Sequence, residues 1–150
     1  MSGGMSALKT YDLQRFVLAQ AEVYARALAE LKAGRKQTHW MWYIFPQLAG
    51  LGSSATARIY AIADLKEARL YLAHPLLGAR LCECCEVLLA LPVGNIEAVL
   101  GSPDNLKLCS CMTLFEQATG DAEVFSAVLE KFYAGRRDPL TLELLEKPPA

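Results

Sequence analysis

Leucine and alanine dominate the chain, with 25 Leu and 22 Ala in 150 residues against only 11 Val plus Ile. Unbranched and small side chains keep their rotamer freedom in a helix, whereas a sheet protein needs β-branched residues to fill its pleated faces. The bias therefore predicts a mainly α fold. A hydrophobic content of 53% against 21% charged residues excludes disorder and suits one compact domain with a core of its own.

The first helix is the clearest. Leu13, Phe16, Val17, Tyr24, Ala27, Leu28 and Leu31 recur at three- and four-residue steps, Asp12 is the expected cap and Gly34 the expected stop. The period then breaks over Gln37 to Leu48, which holds Pro46 and is predicted extended or irregular. Further helices are expected around Ser54 to Ala61, from the capping-box pattern Asp64-x-x-Glu67 to His74, and from Pro75 to about Leu91. Three more should run up to Leu100, from Ser102-Pro103 to about Ala118, and from Gly120-Asp121. Asp138-Pro139 opens a last short helix that Pro148 and Pro149 close. This makes seven or eight helices in a single domain over residues 12–147, with residues 1–11 as an N-terminal tail.

Several function classes are excluded or unsupported. The longest apolar runs, such as Val87 to Val93, fall far short of the roughly 20 residues of a membrane span. Met1 to Ser6 lacks a basic start or an apolar stretch, so a cytoplasmic location is expected. Fifteen basic against sixteen acidic residues argue against a general nucleic-acid coat protein. Glycine-rich phosphate loops, zinc-protease helices and nucleophile elbows are missing, and no cofactor is expected. Five cysteines (Cys82, Cys84, Cys85, Cys109 and Cys111) have no partner histidines at zinc spacing. Cys109 and Cys111 would project about 200° apart on a helix, so reduced core thiols are expected rather than a metal site.

Charge is distributed unevenly. The 33 residues from Leu31 to Ala63 contain no Asp or Glu but hold Lys32, Arg35, Lys36 and Arg58, while the other 117 residues carry a net −5. The same window contains both tryptophans, Trp40 and Trp42, with His39, Tyr43, Phe45 and Gln47. Cations for phosphate, aromatic faces for a base and amides for a base edge or ribose are the parts of a nucleotide pocket. The competing reading makes Trp40 to Phe45 core side chains beneath a solvated basic turn.

A second candidate lies at the start of the Ser102 helix. Leu106, Leu108, Cys109, Met112, Thr113 and Phe115 cover most of its circumference, so this helix should be central. Asp104, Lys107, Ser110 and Cys111 share the remaining stripe, which either faces water or lines a cavity. Asp104 sits in the first turn, where the helix dipole favours a carboxylate. It is either a capping residue paired with Lys107 or a charge stabiliser. If the chain is an enzyme, Asp104 and His39 are the candidate catalytic residues, Lys36 and Lys107 hold phosphate, and Trp40 or Trp42 stacks a base. Phe45, Gln47 and Ser110 complete the candidate ligand-binding set. One site requires residues some 65 positions apart to meet, so Gln37 to Gln47 is predicted to pack against the first two turns of the Ser102 helix around an open cleft.

The residues Asp12-Leu-Gln-Arg-Phe16, Gly34-Arg-Lys36, His39-Trp-Met-Trp42 and Ile44-Phe-Pro-Gln47, followed by Gly101-Ser-Pro-Asp104 and Ser110-Cys-Met-Thr-Leu-Phe115, resemble an uncharacterised bacterial family over nearly the whole chain. Members of that family often carry the label calpastatin by automatic transfer. Nothing in this hydrophobic sequence resembles the disordered repeats of that inhibitor. The layout is also remotely similar to the NADAR family, which is associated with ADP-ribose chemistry and a mostly helical fold. That similarity implies a ligand of nucleotide or ADP-ribose type and, in an enzyme, cleavage of an N-glycosidic bond. The Phe-Ser-Asn motif and Glu-His pair of that family have no counterpart here, so no catalytic residue is carried over from it. The rival class is a protein-interaction module that exposes the aromatic segment 40–45.

Overall fold

A computed structural model of the chain describes residues 10–120 and 123–147, and among these residues nine helices and no strand occur. In chain order they are α1 (Gln14–Lys32), α2 (Met41–Ile44), α3 (Ala55–Ile59), α4 (Leu65–Ala73), α5 (Leu77–Ala90), α6 (Ile96–Leu100), α7 (Asp104–Ala118), α8 (Glu123–Tyr133) and α9 (Pro139–Glu146). The expected leader-free start at Met1 to Ser6, the Asp121 helix start and the Pro148-Pro149 stop lie outside the described residues. Tyr11, assigned above to a tail, donates its hydroxyl to the Asp64 carboxylate at 2.8 and 2.9 Å.

Helix α7 is the hub, packed by α4, α6, α8 and α9, while α1 lies against α5. Leu108, Cys111, Met112, Leu114 and Phe115 are all buried on it. Its burial nearly all round explains why apolar residues cover so much of its circumference. Leu106, expected in the core, is instead 61% exposed, at the edge of a groove it lines with Cys109 and Tyr133. On α1, Phe16, Ala27 and Leu31 are buried as the period requires, with Leu13, Val17, Tyr24 and Leu28 partly buried beside them. Gln20 completes that stripe as a buried polar residue, bonded through Nε2 to Tyr43 O (2.7 Å) and the Tyr71 hydroxyl (3.0 Å).

Caps fix most helix ends. Ser54, Asp64, Asn95 and Asp138 accept from first-turn amides of α3, α4, α6 and α9. His74 Nδ1 does the same for Leu76 and Leu77 ahead of α5. At the other end of α5, Lys131 Nζ gathers the carbonyls of Leu88, Leu89 and Leu91 at 2.5–3.0 Å. Two expected caps are displaced. Helix α1 begins after Leu13 with no side-chain cap, so Asp12 lies one residue too early. Pro103, which has no hydroxyl, stands where Ser102 was expected to cap α7.

Two features position the site. Gly34, in the left-handed region at φ +73°, ends α1 with paired bonds from Gly34 N to Leu31 O and from Arg35 N to Glu30 O, both 3.0 Å. This is the reversal for which glycine is the preferred residue, and it turns the chain back along α1. The returning segment is then tied to α6 by a bond from Lys36 N to Val99 O of 2.7 Å.

Candidate functional site

The turn from Lys36 to Trp40 is built around Glu30. Its carboxylate accepts from Gln37 N (2.8 Å), Thr38 N (3.0 Å), the Thr38 hydroxyl (2.7 Å) and the Trp40 indole Nε1 (2.9 Å). Burial opposes its ionisation, yet these bonds outweigh that cost and hold the carboxyl down at about 2. Every one of the four donors belongs to the turn, so Glu30 organises it rather than facing a ligand.

Beyond the turn, the segment expected to be extended or irregular contains one turn of helix, α2, between irregular flanks. A lone parallel bridge follows, joining Leu48 to Ile62. Trp40 is 1% exposed, and Met41, Ile44 and Phe45 are buried with it. The reading of Trp40 to Phe45 as core therefore holds for most of these side chains. Phe45 packs on Trp40 with ring centroids 6.3 Å apart. Gln47 is buried too, and its Nε2 has no partner. Neither Phe45 nor Gln47 is among the residues lining the cleft described next. The extra helical turn after Trp40 directs them inward.

Because Lys36 is bonded to the end of α6, and α6 leads through Gly101 (φ +78°) straight into α7, the basic turn meets the start of α7. Lys36 Nζ lies 2.9 Å from Asp104 Oδ2, and Lys107 Nζ lies 3.3 Å from Asp104 Oδ1. One carboxylate thus bridges two ammonium groups. Lys36 is 9% exposed in its side chain, against 32% for Lys107. The Lys36 ammonium also stands 5.1 Å over the Trp40 ring, a cation–π arrangement.

These groups line a cleft of about 200 Å³ together with His39, Met41, Trp42, Tyr43 and Thr56. The predicted packing of the aromatic segment on the first turns of the Ser102 helix is present, with His39, Trp40, Asp104 and Lys107 around one opening. Its chemistry is polar at the mouth and aromatic behind. The indoles are nearly closed off from solvent: Trp40 is 1% exposed, its N–H bonded to Glu30 and one face under Lys36, and Trp42 is 9% exposed with Gly52 packed against its Cζ2 edge.

Ser110 does not join this cleft. Its hydroxyl donates to Asp138 Oδ2 at 2.9 Å, and it lines a separate groove with Leu106, Cys109, Tyr133 and Arg136. Six residues along a helix amount to about 9 Å of rise and 120° of rotation, which takes Ser110 away from Asp104. Cys111, placed on the same stripe, is buried among Cys84, Cys85 and Tyr71, and burial pushes its thiol well above the ordinary range. Cys109 faces the groove rather than His39; burial and then the Asp138 charge raise its thiol to about 11. All five cysteines are free thiols, and among the described residues no cluster of three or more His, Cys, Asp or Glu side chains could hold a metal.

Sequence reasoning overlooked Glu30 and Thr56, and left Met41 and Tyr43, which stand within the aromatic window, out of the ligand-binding set. Glu30 had a usable signal: it is the last acid before the acid-free run and sits four residues before the helix-ending Gly34. Thr56 had none, since it reaches the cleft from α3 by tertiary packing alone.

Similarity to known proteins covers nearly the whole chain. A family model described as a protein of unknown function (DUF1810) matches residues 10–145. The crystal structure of the conserved hypothetical protein Rv1873 from Mycobacterium tuberculosis is 51% identical, with a TM-score of 0.90 over 92% of this chain and 99% of that one. No curated protein matches the chain. The chain therefore belongs to this family of proteins of unknown function, DUF1810.

Proposed function

We propose that the Lys36–Asp104–Lys107 cleft binds the phosphate-bearing part of a nucleotide-like or ADP-ribose-like molecule. The observation that carries this reading is the sharing of one carboxylate by two ammonium groups at the mouth of a cleft. The local cluster keeps a net positive charge, and each ammonium has more donors than one carboxylate contact uses. The acid-free run from Leu31 to Ala63 adds no competing carboxylate from the aromatic side. His39 and the Thr56 hydroxyl supply further polar contacts at the rim.

Binding is favoured over bond cleavage. A carboxylate that stabilises an oxocarbenium-like transition state must direct its charge at the substrate. Asp104 is already neutralised by two cations, so a N-glycosidase role, with His39 as its partner, receives less support from the same geometry. A protein-interaction role for segment 40–45 is disfavoured because Trp40, Met41, Ile44 and Phe45 are buried; they present no surface hot spot.

The test is a thermal-shift panel of ADP-ribose, NAD and mononucleotides on the full chain. A ligand at 100 times its dissociation constant should stabilise by about 2.7 kcal/mol. A panel that leaves the melting temperature unchanged throughout removes the reading.

A further inference from the structure

We infer that the cleft accepts a ribose phosphate and leaves the base outside, with Asp104 reading the sugar hydroxyls. This rests on the reading of the cleft as a phosphate site and specifies which part of the ligand enters. Three observations lead to it.

The first is size. At about 200 Å³ the cleft is smaller than the roughly 300–1,000 Å³ typical of pockets that enclose a drug-sized ligand. A space of that size does not enclose a whole nucleotide, and one sugar with its phosphate is the portion it suits. The second is that stacking on an indole is unavailable. Trp40 and Trp42 are only 1% and 9% exposed, so neither presents an indole face wide enough for a base to stack on.

The third concerns Asp104 itself. A carboxylate offers about four lone-pair sites and no donor, and Lys36 and Lys107 each engage one of its oxygens. A simple anion would gain from the lysines but meet repulsion from the carboxylate between them. A ligand with hydroxyl donors beside its anionic group satisfies both kinds of partner, its hydroxyls donating to Asp104 while its phosphate oxygens accept from Lys36 and Lys107. A ribose phosphate has that arrangement. Inorganic phosphate lacks the neighbouring diol, and a deoxyribose phosphate retains only part of it.

Calorimetric titration of the full chain with AMP, 2′-deoxy-AMP, ribose 5-phosphate and inorganic phosphate tests the inference. Ribose 5-phosphate should bind within about 3-fold of AMP, because the base contributes little. The 2′-deoxy analogue should be weaker than AMP by about 10-fold, the scale of one hydrogen bond to a charged group. Asp104→Asn should erase most of that discrimination. AMP binding far more tightly than ribose 5-phosphate, or equal binding of AMP and its 2′-deoxy analogue, would overturn this inference while leaving the phosphate site standing. If none of the four ligands binds, and ADP-ribose does not bind either, the phosphate reading fails and this one with it.

Discussion

Two carboxylates flank the same turn and have opposite surroundings. Glu30 is enclosed by four neutral donors, two of them backbone amides and one an indole, all from residues 37–40. Asp104 is met by two ammonium groups on flexible stems at the rim of a cleft. Short fixed donors make an anchor, since any movement of the carboxylate costs several bonds at once. Lysine ammoniums can turn toward an incoming anion while keeping part of their contact with Asp104. The turn thus has one side that holds its shape and another that can exchange partners.

The largest expected effect breaks the anchor. Glu30→Ala leaves the buried indole N–H of Trp40 and two amides without acceptors, and should destabilise the fold by about 3 kcal/mol in urea unfolding. Ligand affinity should fall with it, because Lys36 loses its placement. A cost near zero would mean that the turn holds without Glu30.

The pH dependence sharpens the same contrast. The folded-state value of Glu30, about 2, lies below its ordinary 4.5, so its stabilisation is fully present above about pH 5 and is lost as pH falls toward 2. The stability gap between the natural chain and Glu30→Gln should therefore narrow steadily between pH 5 and 2. A gap independent of pH over that interval would contradict the assigned role.

A smaller effect is expected from Gly34→Ala. The space beside Gly34 is open, with only Leu91 Cδ2 at 3.9 Å from an added Cβ, so the cost of about 1–2 kcal/mol comes from the left-handed backbone alone. Smallest of all is Lys107→Ala, which removes a partly exposed ion pair and should change stability by no more than about 0.5 kcal/mol. A loss as large as that of Glu30→Ala would make Lys107 part of the anchor and void the division between the two sides.

The helical class and most helix starts were legible in the sequence because each rests on local signals, whereas the meeting of the basic turn with Asp104 was read from the complementary chemistry of two distant segments. Leu and Ala content, the Phe16 to Leu31 period and the residues Ser54, Asp64, Asn95 and Asp138 act over a few positions. What escaped was set by tertiary packing. Phe45 and Gln47 turn inward because one helical turn intervenes after Trp40, and Ser110 is claimed by Asp138 from across a different groove. Leu106 is exposed at the edge of that groove. Glu30 lies one residue before the acid-free run, so the run itself does not mark it.

The most direct test of the division between anchor and exchangeable side is to titrate ADP-ribose into the natural chain and into Lys36→Met, measuring affinity and unfolding free energy on the same samples. Methionine keeps much of the apolar stem beside Trp40 while removing the charge. The account predicts affinity weaker by about 10-fold or more, with stability changed by only about 1 kcal/mol. Unchanged affinity for a ligand that binds the natural chain would contradict it.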